Sequence, residues 1–295
     1  MAGDDLTARV AAVVVNYNVG ALLIDCVASL RLEGVGRIIV VDNASVDGSI
    51  EALERADPEV TLLQTGANLG YGRGVNRGAA LADADAELLL VMNADTVVRP
   101  GMIKRLAEAL DDHPAVGIVG PRVENSDGSL YPSAREFPRL VDSVGHGFLG
   151  MVAPRNRFTR RYRMLDWDHA AFAVVDWVSG SCMLVRRRAW DAIGGFDEDY
   201  FMYAEDVDLC WRAGRAGWQV AYEPAATLLH VQGVSTDQHP YRMIVEHHRA
   251  LLRFAARTTR FPERALLPVV AIGLVVRTGM GWAHRWRQGR ANPPS

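Results

Sequence analysis

The feature that most constrains this chain is an alternation that fills its first 120 residues or so. Short, wholly apolar runs alternate with segments whose apolar residues recur at helical spacing. Residues 10–15 (VAAVVV) carry no polar side chain, the pattern of a strand covered on both faces rather than one with a wet side. Leu22, Leu23, Cys26, Val27 and Leu30 then fall on one helix face, and Gly34 suits the position just past the helix end. A second strand is expected over 38–41. A turn at 45–49 leads into a short helix that ends before Pro58, and a third strand covers 60–63. A helix over 71–81, a fourth strand over 88–92 and a helix from Pro100 to about Asp112, stopped by Pro114, complete the series. Strands that alternate with helices in this way imply an α/β fold with a mainly parallel central sheet flanked by helices.

The second half changes character. Residues 122–169 are rich in Pro, Gly and Arg and show little periodicity, as in a long functional loop. Strands are expected over 174–186, 218–222 and 227–231, with a helix over 206–215. Residues 241–257 form an amphipathic pattern: Ile244, His248, Leu251, Leu252 and Ala255 share one face, and Arg242, Glu246, Arg249, Arg253 and Arg257 the other.

Charge is unevenly spread. The whole chain has a formal net charge of −3, yet residues 241–295 hold ten arginines against two glutamates. A basic tail on an acidic body suits an anionic surface. No nucleic-acid-binding module accompanies the arginines, so a phospholipid surface is the better partner and nucleic acid is not expected. Residues 266–276 form an apolar run of eleven, well short of the about 20 that a spanning helix needs. Trp282, Arg285, Trp286, Arg287 and Arg290 follow, a pairing of residue types that favours the headgroup layer. The expectation is a tail that lies on a membrane face without crossing it; packing on the core or forming a homodimer is the alternative. Cys26, Cys182 and Cys210 are far apart and set in apolar runs, as buried thiols of a reducing compartment are. The acidic start MAGDDLTARV has no secretory pattern. A cytoplasmic protein, peripheral at the inner face of the plasma membrane, is the localisation these features suggest.

In a parallel sheet, ligands bind beyond the carboxyl ends of the strands. Strand 1 ends in Asn16, Tyr17 and Asn18, strand 2 in Asp42 and Asn43, and strand 4 in Asn93 and Asp95. Each could be a turn or capping residue on its own; their convergence on one edge points to a site. Asn68, Gly70 and Gly72 lie in a glycine-dense segment that opens a helix, where backbone can approach a phosphate closely. The segment does not satisfy G-x-G-x-x-G in either frame and follows strand 3, which argues against dinucleotide-dependent hydride transfer. A carboxylate at Asp95 can hold Mg²⁺ or Mn²⁺ together with substrate phosphates. Glu205 and Asp206 open a helix amid Tyr200, Phe201, Tyr203 and Trp211. There they suit the helix dipole, and aromatic walls can also turn a carboxylate into a general base. His230 ends a strand and is a candidate third contact to metal or phosphate.

These motifs, in this order, resemble glycosyltransferase family 2: VVVNYN at Asn16, VVDNAS at Asp42, NLGYG at Asn68, MNAD at Asp95 and FMYAEDVDLCWR at Glu205 and Asp206. The resemblance covers residues 8–255 and is strongest to its bacterial rhamnosyltransferases. It implies a GT-A fold, with a catalytic domain over residues 1–240 made of a nucleotide-sugar half (about 8–121) and an acceptor half (about 122–240). A helical extension would occupy 241–295. It further implies an inverting transfer of L-rhamnose from a dTDP-sugar donor, dTDP-β-L-rhamnose, to a sugar acceptor linked to a lipid diphosphate, with Mg²⁺ or Mn²⁺ as cofactor. Asp206 would be the catalytic base, with Glu205 beside it. Asn16, Tyr17, Asn18, Asp42, Asn43, Asn68, Gly70, Gly72 and Asn93 would bind the donor, and Asp95 and His230 the metal. Gly180, Ser181, Trp211 and Arg212 would meet the acceptor. One departure stands out: Asn93 occupies the place of the first Asp of the family's Asp-x-Asp motif, so the donor diphosphate would supply much of the metal coordination. Other donors (a UDP-hexose or UDP-galactofuranose) and a non-enzymatic membrane scaffold are the competing readings.

Overall fold

The computed structural model describes residues 8–82, 85–137, 167–231 and 240–291, with side chains as far as residue 282. The expected alternation is present: β1 (Val10–Asn16), α1 (Leu22–Leu32), β2 (Arg37–Asp42), α2 (Ser49–Ala56), β3 (Thr61–Gln64), α3 (Tyr71–Leu81), β4 (Leu88–Asn93), β5 (Thr96–Val98) and α4 (Met102–Asp112). β3, β2, β1 and β4 lie side by side and all parallel. The unbroken apolar run of β1 has the reason the sequence suggested. Val10, Ala12 and Val14 enter one hydrophobic cluster and Ala11, Val13 and Val15 the other, on opposite faces of the sheet. Gly78 lets α3 sit down on that sheet, since a Cβ there would stand 2.4 Å from Val13 Cγ1.

The second half completes the same sheet. β6 (Val116–Asn125) and β12 (Gln219–His230) run parallel to each other, and β11 (Cys182–Arg186) is inserted antiparallel between β4 and β6. β6 runs through the expected boundary at 121/122, so the sheet is continuous across the two halves. Within the stretch expected to be irregular, β6 extends to Asn125, and β7 (Leu130–Tyr131) and β8 (Ala134–Arg135) are short strands; residues 138–166 lie outside the described residues. The strand expected over 174–186 is broken into β9 (Ala173–Val175), β10 (Trp177–Val178) and β11. The Ser179-Gly180-Ser181 turn separates the last two. Conversely, the two strands expected over 218–231 are one, β12, with a register shift between Glu223 and Thr227. α5 (Arg187–Ile193) and α6 (Glu205–Arg215) pack on the second face of the sheet.

Two helices close the chain, α7 (Pro240–Thr258) and α8 (Leu267–Ala291). Arg253 and Arg257 of α7 tie it to the body through Asp197, Asp199 and the fully buried Asp208. α8 lies against α7: His248 Nδ1 is 2.6 Å from Thr278 Oγ1, Trp282 Nε1 donates to Tyr241 O at 3.3 Å, and a Cβ on Gly281 would stand 3.4 Å from Ile244. Val269, Ile272, Val275, Val276 and Met280 point outward, each more than half exposed and grouped on one helix face. The apolar run of eleven is thus part of a longer helix. Residues Glu263–Trp282 are long and apolar enough to cross a membrane by length and composition.

Candidate active site

β1, β2 and β4 end on one edge, where Asn16 pairs in register with Asp42, and Val15 with Asn93. Beyond that edge opens a cleft of about 760 Å³, a size suited to a small molecule. Tyr17, Asn43, Asn68, Gly70, Asn93 and Asp95 line it on this side. Asn16 and Asp42 lie beneath, 0% and 3% exposed. Asn16 Nδ2 donates to Asp42 Oδ1 (2.9 Å), Ser45 Oγ (3.0 Å) and Ser49 Oγ (3.1 Å), and Asp42 Oδ2 accepts from Ser45 N (3.0 Å). Asn18 joins the same turn: its N–H donates to Ser45 Oγ and its Oδ1 accepts from Val46 N. The structure therefore places these three in the support under the crevice rather than in its wall.

The glycine-dense segment is where the two sides of the cleft meet. Gly70 has φ +88°, and a Cβ on it would stand 2.1 Å from the carbonyl oxygen of Phe201. That closeness lets Tyr71 N donate to Phe201 O (3.1 Å), while Asn43 Nδ2 donates to Gly70 O (3.1 Å). Gly72 faces inward, its would-be Cβ 3.0 Å from Phe196 Cβ, so it permits packing and does not line the cleft. Tyr71 OH donates to Gly180 O (2.5 Å). Burial, and then the charges of Glu205, Asp206 and Asp95 among others, lift its hydroxyl well above the ordinary tyrosine range. All three carboxylates are thus within electrostatic reach of one ring.

Glu205 and Asp206 open α6, preceded by Tyr203 (φ 69°) and Ala204 (φ 58°), two consecutive left-handed residues that are not glycine. Such strain persists where the surroundings over-determine it, and it clusters at functional sites. Both carboxyls face the cleft, yet their environments differ. Asp206 Oδ2 accepts from Gly180 N (2.9 Å) and Oδ1 from Val207 N (2.8 Å), and Arg135 adds a favourable charge. Glu205 is 6% exposed, and its Oε2 has no hydrogen-bond partner among the described residues. Burial raises both, and burial together with the Asp206 charge pushes Glu205 up to about 8. Asp206, with two backbone donors, is the better placed of the two to carry the charge, and Glu205, with Oε2 unbonded among the described residues, to hold a proton.

Across the cleft Asp95 Oδ1 lies 3.2 Å from His230 Nε2, both side chains nearly buried, because β5 folds back against the end of β12. His230 Nδ1 is buried without a hydrogen-bond partner among the described residues. No group of three or more His, Cys, Asp and Glu residues that could hold a metal occurs among the described residues. One carboxylate and one imidazole fit a Mg²⁺ or Mn²⁺ ion only if phosphates and water complete the shell, which is how Mg²⁺ is usually held.

Gly180 and Ser181 line the cleft as expected, but Trp211 and Arg212 do not. They lie one to two turns into α6. Trp211 sits beneath the guanidinium groups of Arg215 and Arg257, and Arg212 donates to the buried Asp208 (2.7 Å) and to Ile193 O (2.8 Å). They anchor α6 and the seat of α7. Other wall residues escape a sequence reading. Arg135 stacks over Trp177 (5.0 Å) and Tyr131 (5.6 Å), held by the antiparallel β8–β10 ribbon. α7 contributes Arg242, Met243, His247 and Leu251. For α7 the signal was present in the amphipathic pattern; for Arg135 it lay in two-residue strands too short to show a period.

A half-parallel sheet with a polar cleft at its strand ends, an acid pair on one side and an Asp–His pair on the other defines a glycosyltransferase of GT-A fold. The model of "Glycosyltransferase like family 2" matches residues 8–255, and the chain belongs to that family. It is 42% identical over 255 residues to the N-acetylglucosaminyl-diphospho-decaprenol L-rhamnosyltransferase of Mycobacterium tuberculosis, covering 83% of each chain. Among solved structures it resembles the mannosyltransferase PcManGT from Pyrobaculum calidifontis in complex with GDP-Man and Mn²⁺ (TM-score 0.57, 18% identity, 97% of this chain and 76% of that one). It also resembles S. aureus TarS 1–349 in complex with UDP (TM-score 0.55, 14% identity, 90% and 70%). At those identities the structural likeness speaks for the fold.

Proposed function

We propose that the chain transfers L-rhamnose from dTDP-β-L-rhamnose, with inversion, to N-acetylglucosamine carried on a polyprenyl diphosphate, as a step of cell-wall biogenesis. The observation that carries this reading is that Asp206 and the Asp95–His230 pair line the same cleft from different elements. The 42% identity to the mycobacterial rhamnosyltransferase supports the choice of sugar and acceptor. Asp206 accepts the proton of the acceptor hydroxyl while that oxygen forms the bond to the anomeric carbon. The carbon–oxygen bond to the donor diphosphate breaks on the opposite face, and dTDP leaves with the electron pair. Tyr17, Asn43, Asn68 and Gly70 hold the nucleotide, and Gly180 orients Asp206 through its N–H. Asp95 and His230, with the donor diphosphate, would hold Mg²⁺ or Mn²⁺, which would supply charge neutralisation for the leaving group.

The catalytic body covers residues 1–240, and α7 and α8 seat it on the inner face of the plasma membrane. α8 keeps one face on α7 and turns Val269, Ile272, Val275, Val276 and Met280 outward. Charged Arg249 and Arg253 of the adjacent α7 would be costly in the bilayer centre, so α8 lies in the headgroup layer rather than across it. Thermal shift with dTDP-rhamnose, UDP-hexoses and UDP-galactofuranose tests the donor: stabilisation by dTDP-rhamnose above the rest is expected, and preference for a UDP-sugar overturns it. Flotation with phosphatidylglycerol vesicles tests the seat, with retention expected to fall when Ile272 and Val275 are changed to Glu.

A further inference from the structure

The cleft has a third wall that neither the acid pair nor the Asp95–His230 pair explains. Met243, His247 and Leu251 of α7 are spaced four apart and so share one face of the helix. All three line the cleft, and Arg242 stands beside them at its rim. Met243 is buried and Leu251 half-buried, so the wall offers two apolar side chains, one on either side of His247. The arginine differs from the others on the same helix. Arg249 pairs with Glu246, Arg253 with Asp197 and Asp199, and Arg257 with Asp197 and Asp208. Among the described residues Arg242 has no carboxylate partner; its guanidinium lies over the Phe201 ring, 4.2 Å from the centroid, and is exposed. Phe201 is the residue whose carbonyl accepts from Tyr71 N at the Gly70 contact, so the ring beneath Arg242 belongs to the loop that leads into Glu205 and Asp206.

We infer that the α7 wall is the subsite for the lipid-diphosphate part of the acceptor, with Arg242 binding the diphosphate and Met243 and Leu251 receiving the first isoprene units. This rests on the lipid-linked acceptor proposed above and adds the residues that read it. The chemistry is complementary at both ends. A guanidinium pre-oriented on an aromatic face, with no carboxylate partner among the described residues, is a ready diphosphate donor. Apolar side chains behind it match a prenyl chain and give no partner to a phosphate or a sugar hydroxyl. α7 also carries α8 with its exposed apolar face, the face proposed above to meet lipid, which gives a prenyl tail a surface to follow. Arg242 is a positioning residue here; it touches the acceptor and not the reacting atoms.

The test compares two acceptors in detergent, farnesyl-diphosphate-linked N-acetylglucosamine and octyl β-N-acetylglucosaminide, with wild type, Arg242→Gln, Arg242→Lys and Arg249→Ala. Arg242→Gln is expected to raise KM for the diphosphate acceptor about tenfold or more, the usual weight of a hydrogen bond to a charged group. It should leave KM for the donor and kcat/KM for the octyl glycoside unchanged. Arg242→Lys should recover part of the loss, and Arg249→Ala, exposed and turned to Glu246, should change nothing. Unchanged KM for the diphosphate acceptor in Arg242→Gln overturns the inference, as does an equal loss on both acceptors. Either result leaves the proposed reaction standing. If wild-type enzyme does not use the diphosphate acceptor at all, the proposed reaction itself fails, and this subsite with it.

Discussion

Gly70→Ala is the substitution for which the structure gives the sharpest expectation. The residue sits at φ 88°, ψ 173°, a region essentially reserved for glycine, and forcing an L-residue there costs about 1–3 kcal/mol. The added Cβ would also stand 2.1, 2.9 and 3.0 Å from the O, C and Cα of Phe201. These are backbone atoms, so no side-chain rotation relieves the clash, and the segments must part. Parting them breaks the Tyr71 N–H to Phe201 O bond, worth about 1 kcal/mol. The sum is roughly 2–4 kcal/mol, which for a chain of this size lowers Tm by about 3–6 °C. Gly66→Ala is the internal control. It has φ 72° and nothing within 4 Å of a Cβ, so only the conformational cost of about 1–2 kcal/mol remains. Differential scanning fluorimetry of both variants checks the difference. Because Phe201 leads into the acid pair, Gly70→Ala should also lose turnover at temperatures where it is still folded. A Gly70→Ala protein that melts within a degree of Gly66→Ala, with wild-type turnover, would refute the reasoning.

Asp206→Asn should keep the fold and donor affinity while lowering kcat by about 10²–10⁴, the usual cost of losing a general base; initial rates beside donor calorimetry check it. Asp95→Ala should weaken donor binding chiefly when Mg²⁺ or Mn²⁺ is present, and excess EDTA should abolish transfer, whereas full turnover in EDTA would remove the metal from the account. Glu205 makes a pH prediction. Its folded pKa of about 8 lies above the ordinary carboxylate value, so between about 4.5 and 8 the folded state binds the extra proton and stability falls as pH rises. Glu205→Gln should therefore raise Tm at pH 8 relative to wild type and change it little at pH 4.5; the reverse order would show that the carboxyl is ionised in the folded protein.

Much of the fold was legible because its strongest signals are local. Strands buried on both faces announce themselves as apolar runs, and β1, β2 and β4 fall where the runs are. The site was legible where a strand end or a helix start delivered the side chain: Asn43, Asp95, Glu205, Asp206 and His230 all reach the cleft or its pair as expected. It was not legible where orientation decides. Trp211 and Arg212 follow the acid pair closely in sequence, but a helix turns each residue by about 100°, which carries them to the face that meets Asp208 and Arg257. Asn16 and Asp42 sit at the right strand ends yet bond to each other and to the Ser45–Ser49 turn beneath the cleft. Arg135 depends on pairing between two-residue strands distant in sequence, which no local period encodes. The long α8 differs from the eleven-residue run because Arg277, Gly279 and Gly281 interrupt hydropathy but not helix geometry.

The product of the reaction is the most direct test of the proposed transfer. Purified full-length enzyme is incubated with dTDP-β-L-rhamnose, Mg²⁺ and polyprenyl-diphosphate-linked N-acetylglucosamine, and the lipid product is analysed by mass spectrometry and by NMR of the new anomeric centre. Addition of one deoxyhexose in α linkage is expected, absent with Asp206→Asn. A β-linked rhamnoside would contradict the inverting displacement, and no transfer from dTDP-rhamnose alongside transfer from a UDP-sugar would contradict the assigned donor.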